Sequence, residues 1–223
     1  MIRHALRATV RAFGVVATTA VEVTALSVWL GLVADASPLS IPAAVGVAAL
    51  GAGLLVAGLG AHVTVKGWRR EVPAPPVVAL ALAETALWVG WFGAVRRVGD
   101  PVGVALVGVA LAVGLAPRHA IADNLLRSRR PLSTLVGRVP AGLALVEAAG
   151  ATVWVLVVTG WVVVPEWVVT VPTAGFSAGA VVGGGVLAGA LFVRHALAVR
   201  YALRANRDVG TAGWQSSWGT PPE

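Results

Sequence analysis

Six apolar runs, each near the length needed to cross a bilayer, follow one another along this chain with little polar sequence between them. They are approximately Ala12–Ala34, Ile41–Val65, Val77–Val95, Val102–Ala116 (continuing through His119), Val139–Val164 and Val171–Val193. About 20 apolar residues in a helix cover the roughly 30 Å hydrocarbon core. The expected fold class is therefore all-α, a polytopic membrane protein of six transmembrane helices. Composition agrees: 57% of the 223 residues are hydrophobic and 12% charged, against about 25% charged in a soluble domain. No long polar segment is left to fold as a soluble enzyme. Residues 1–208 read as one transmembrane domain, and 209–223 as a polar, disordered tail carrying Trp214 and Trp218.

Helix starts are marked by Pro42, Pro76, Pro101, Pro140 and Pro172, because proline's missing N–H costs nothing in a first turn. Glu22 interrupts the first run, which is also long for a removable signal peptide, so it reads as a span.

Charge alternates between the loops. Fifteen basic residues lie before span 1, between spans 2 and 3, between 4 and 5, and after 6. They are Arg3, Arg7, Arg11, Lys66, Arg69, Arg70, Arg118, Arg127, Arg129, Arg130, Arg138, Arg194, Arg200, Arg204 and Arg207. The opposite loops hold only Arg96 and Arg97. Basic loops stay cytoplasmic, so both termini are expected inside a cell membrane crossed six times. The net charge of +7 is then a topology signal, and a nucleic-acid partner is not expected. Sixteen of the 17 basic residues are arginine, which suggests a GC-rich prokaryotic genome.

An internal pattern runs through the spans. Spans 1, 3 and 5 carry one glutamate each, Glu22, Glu84 and Glu147, followed seven residues later by Trp29, Trp91 and Trp154. Seven residues is about two helical turns, so each Glu and its Trp share a face. Spans 2, 4 and 6 carry His62, His119 and His195 near the cytoplasmic end, two of them inside Arg-His-Ala. The even spans are dotted with glycine, and spacings such as Gly175/Gly179/Gly183 and Gly185/Gly189 favour close helix packing. These features predict three related hairpins, approximately 12–66, 76–122 and 139–198.

A carboxylate inside hydrocarbon costs several kcal/mol and must pair, face water or hold a proton. Glu22, Glu84, Glu147, His62, His119 and His195 are accordingly the candidate pathway or ion-binding residues, with Trp88 and Trp154 as candidate lining. The expected function is a channel or transporter for protons or small cations. The alternative is a non-catalytic scaffold or accessory subunit, in a homo-oligomer or with a membrane-complex partner, whose Glu and His residues pair structurally.

Other chemistry finds little support. The chain has no cysteine, which excludes thiolate metal sites, and shows no Walker A, G-x-S-x-G or H-E-x-x-H motif. No catalytic residue and no cofactor are expected; a His/Glu metal ion, or a haem between His119 and His195, are the minor alternatives. Trp29, Trp91, Trp161 and Trp167 are expected at the outer interface and Trp68 at the inner one. Arg3, Arg7, Arg11, Arg200 and Arg204 recur at helical spacing, a stripe suited to anionic lipid headgroups.

Overall fold

The computed structural model describes residues 2–68, 71–165 and 177–216, without the side chains of 2–4, 7 and 206–216. Among the described residues the fold is all-helical, with no strand. The helices are α1 (Ile2–Val33), α2 (Ile41–Lys66), α3 (Ala74–Val95), α4 (Pro101–Leu126), α5 (Arg138–Val158) and α6 (Ala178–Ser216). All six contain a stretch long and apolar enough to cross a membrane. The chain is therefore read as a multi-pass integral membrane protein.

Local chemistry explains several helix ends. Asp100 accepts a hydrogen bond from the Gly103 amide at 2.9 Å, and Pro101 occupies the first turn of α4. Ser40 caps α2 in the same way. Gly67, with φ +84°, closes α2 in a conformation that penalises a Cβ.

Three helix C-terminal ends lie well away from those expected. The fifth helix stops at Val158, short of Val164, at a turn through Gly160 with φ +79°. The fourth runs past Ala116 to Leu126 with Pro117 in its interior; membrane helices tolerate proline because neighbouring groups satisfy the carbonyl it frees. The sixth continues to Ser216, into the stretch read as a tail; the Ala-, Leu- and Arg-rich sequence from Ala196 to Arg207 favours helix up to that stretch. Residues 217–223, including Trp218, and residues 166–176, including Trp167, lie outside the described residues. So do the side chains of Arg3, Arg7 and Trp214.

Consecutive helices pack side by side, and α1 closes the ring against α6. Across the middle, α2, α4 and α6 also touch one another. Each odd helix thus sits in the seam between two even ones: α1 between α6 and α2, α3 between α2 and α4, α5 between α4 and α6. Glycine permits this approach at specific points. A Cβ on Gly183 would sit 3.1 Å from the Trp154 carbonyl oxygen, so a larger residue would push α6 and α5 apart by a few tenths of an ångström. Gly184, Gly185 and Gly189 face open space instead, so the Gly185/Gly189 spacing makes no close contact among the described residues.

The core is apolar on one side of the glutamates. Leu26, Leu50, Leu115 and Leu191 are fully buried, together with Trp29 and Trp88. Trp29 packs edge-on to Phe92 at 5.3 Å, and Trp88 edge-on to Trp91 at 5.5 Å. Trp29 and Trp91, expected in an interfacial belt, are buried core residues. Their seven-residue offset from a glutamate turns them inward, and face prevails over depth. Trp68 and Trp161 are exposed, as interfacial residues are.

Candidate functional site

Glu84 stands ten residues into α3 and Glu147 nine into α5, about 15 and 14 Å along the axes. Glu22 lies mid-span on α1. All three are completely or almost completely buried, and one carboxylate oxygen from each lies within 4.8 Å of the others. The glutamates, 62 and 63 residues apart in sequence, form one cluster.

The cluster contains two residues that sequence reasoning assigned to topology. Arg118 pairs with Glu84. Arg194, whose side chain is only 5% exposed, pairs with Glu22, approaches Glu147 at 3.2 Å and reaches Glu84 at 3.7 Å. One guanidinium thus lies within ion-pair distance of three carboxylates, to which it presents a planar set of five donors. The available signal was the doubled Arg-His-Ala tripeptide, where each arginine precedes a histidine already singled out.

The histidines beside those arginines join the network. His119 Nε2 lies 2.9 Å from Glu147 Oε2, and its Nδ1 lies 3.3 Å from Arg118 Nη1. A guanidinium only donates and a carboxylate only accepts, so His119 fits as the neutral tautomer carrying its proton on Nε2. His195 Nε2 faces Arg194 Nη2 at 2.7 Å and Glu22 at 3.2 Å, while its Nδ1 meets Thr19 Oγ1 at 3.1 Å. The Thr19 hydroxyl donates to the Val15 carbonyl, which leaves its oxygen to accept from His195 Nδ1–H. His195 therefore also fits as a neutral imidazole. Both Nε2 atoms are engaged within this network.

His62 stands apart. It is buried, yet its Nε2 has no hydrogen-bond partner among the described residues. Oε1 of Glu22, Glu84 and Glu147 and Nε of Arg118 and Arg194 are likewise buried without hydrogen-bond partners. Buried polar atoms in this state are uncommon, and so many in one cluster mark a place where water or a ligand completes the bonding.

A cavity of about 90 Å³ adjoins the cluster. Glu22, Arg118, Arg194 and all three span histidines line it, with Ala57, Gly58 and Ala61 forming part of its apolar wall. Its lining includes Asp123 and Leu126 at the last turn of α4, so it lies toward the basic end of the bundle. A wider, polar hollow at that end includes Lys66, Glu71 and Arg129, and shares His62 and Leu125 with the cavity. On the opposite side the glutamates abut the tryptophan-rich core. Trp88 and Trp154, the candidate lining residues, pack in that core rather than on the cavity.

Three further arginines gather elsewhere. Arg11 on α1 and Arg200 and Arg204 on α6 border an apolar groove walled by Val15, Phe192 and Val199. None of the three forms an ion pair with a described residue.

Among known proteins, no family model matches this chain, and neither the curated proteins nor the solved structures contain a match.

Proposed function

We propose that this protein moves protons or small cations across a cell membrane, using the buried Glu22–Glu84–Glu147 cluster as its ion site. The observation that carries this reading is the charge count inside the cluster. Three carboxylates meet two guanidinium groups, and the adjacent imidazoles bond as neutral rings. The formal balance is one negative charge. Several kcal/mol oppose leaving such a charge unpaired in hydrocarbon, so the site is completed by one positive charge, a proton or a cation. A centre that binds one charge at mid-membrane and opens toward one face has the layout of a transporter site.

Two finer readings support this assignment. Arg118 and His119 together bridge Glu84 to Glu147, and Arg194, with His195 Nε2 accepting from it, bridges Glu147 to Glu22. Equivalent links from successive even helices fit a chain built as three related hairpins. The basic end, with both termini, is assigned to the cytoplasm by the loop charges, and the cavity then opens inward.

A second reading is favoured by one fact: each glutamate has a cationic partner. In that reading the cluster is a clamp that fixes helix positions in a scaffold. Reconstituted liposomes separate the two. Proton and monovalent-cation flux is expected from the wild type and is reduced at least tenfold in Glu84→Gln and Glu147→Gln. Flux from all three proteins equal to that of empty liposomes removes transport and leaves the clamp.

A further inference from the structure

Aligning the three even helices on their histidines places Arg118 and Arg194 immediately before His119 and His195, but Ala61 before His62. The arginine of the pattern is missing once. The cavity beside the glutamates has Ala57, Gly58 and Ala61 in its wall and His62 on its lining. It therefore lies where the side chain of an arginine at position 61 would extend. Arg194 stretches across all three carboxylates, which is the arrangement expected where two guanidinium groups do the work of three.

From this geometry we infer that the cavity is a binding site for a small monovalent cation of the ammonium or guanidinium type, which takes the place of the third arginine. This rests on the ion-site reading above and adds the chemical class of the ligand. Three observations support it. The charge deficit is one, so a monovalent ion completes the cluster, whereas a divalent metal would leave an excess positive charge beside two fixed guanidiniums. The orphaned atoms include Oε1 of Glu22, the one glutamate of the cluster that lines the cavity, an acceptor that calls for an N–H donor. Independently of the carboxylates, His62 lines the cavity, is 5% exposed and has an unpartnered Nε2, which supplies one more bond to an N–H group. A cavity of about 90 Å³ exceeds the roughly 10–15 Å³ that one water needs and accommodates such a group. Access runs past His62 and Leu125, which face both the cavity and the polar hollow at the basic end.

The test uses thermal unfolding of the full chain in lipid nanodiscs, with methylammonium chloride as the probe and tetramethylammonium chloride at equal ionic strength as the control. The expected result is a saturable rise in melting temperature of several degrees with methylammonium, and none with the bulky control. Ala61→Arg supplies the absent guanidinium, so it is expected to melt above the unliganded wild type and to lose the methylammonium response. Ala61→Leu fills the cavity without charge; it loses the response and gains no stability. Equal responses to the two ammonium salts, no response at all, or protection by sodium formate in place of methylammonium would overturn the inference. So would an Ala61→Arg protein that keeps the full response. Should that variant not fold, the comparison of the two salts on the wild type still decides. Flux in liposomes is read separately: methylammonium protection without flux retains the cation site and removes transport, whereas proton flux without protection does the reverse.

Discussion

Arg194→Met is the sharpest perturbation of this architecture. The guanidinium is 5% exposed, pairs with Glu22, and lies 3.2 Å from Glu147 and 3.7 Å from Glu84. Methionine keeps much of the volume, so the loss is electrostatic rather than a cavity. Breaking one buried ion pair by deleting a single partner costs about 3–5 kcal/mol, because the other charge is left uncompensated. One pair is the floor here, since Arg194 serves more than one carboxylate. At about 2–4 °C per kcal/mol for a chain of this size, even about 3 kcal/mol lowers the melting temperature by about 6–12 °C. Thermal unfolding in nanodiscs measures it. Two comparisons give the number its meaning. Arg127→Ala removes a partly exposed i,i+4 pair with Asp123, for which about 0–1 kcal/mol is expected. Adding Glu22→Gln to Arg194→Met removes one stranded charge and should recover part of the loss. An Arg194→Met protein melting within about 1 °C of the wild type would refute the reasoning that this arginine neutralises the cluster, whatever its effect on flux.

Other outcomes follow from packing and surface charge. Gly183→Val drives a side chain against the Trp154 carbonyl and the Val158 side chain and should cost about 1–3 kcal/mol, while Gly185→Val, in open space, should leave the melting temperature almost unchanged; the pair is read by the same unfolding assay. Trp88→Ala empties a fully buried site and is expected to lose about 3–5 kcal/mol, whereas Trp68→Ala, 88% exposed, should be near neutral. The triple change Arg11→Gln, Arg200→Gln, Arg204→Gln removes the cations around the α1–α6 groove and should abolish preferential retention of phosphatidylglycerol over phosphatidylcholine, measured by mass spectrometry of co-purified lipid. Retention unchanged by the substitutions would show that this groove does not select anionic lipid.

The parts of this fold legible in the sequence were those set by one-dimensional patterns. Span number follows from the apolar runs because hydrocarbon demands an uninterrupted apolar helix. The glutamates stood out because an acid in such a run is rare. The arginines did not, because a sum of loop charges treats every basic residue near a helix end alike, whether it snorkels to the surface as Arg200 does or turns inward as Arg194 does. Trp29 and Trp91 were misplaced for the converse reason: depth was read without face. Convergence of Glu22, Glu84 and Glu147 within 4.8 Å depends on which helices are neighbours, and no local spacing encodes that.

The closing of the helix ring has a consequence for biosynthesis. Glu22 belongs to α1, and its partner Arg194 comes 172 residues later in sequence, on α6. At about 5–20 residues per second, Glu22 waits roughly 9–34 s for its guanidinium after leaving the ribosome. During that interval α1 carries an unmatched acid that weakens its hold on the lipid, and just before α6 arrives α1 to α5 form an intermediate with an open flank. Final locking is thus deferred to the arrival of α6, so a chain truncated before Arg194 should be recognised as unfinished and degraded, even with five of its spans already synthesised.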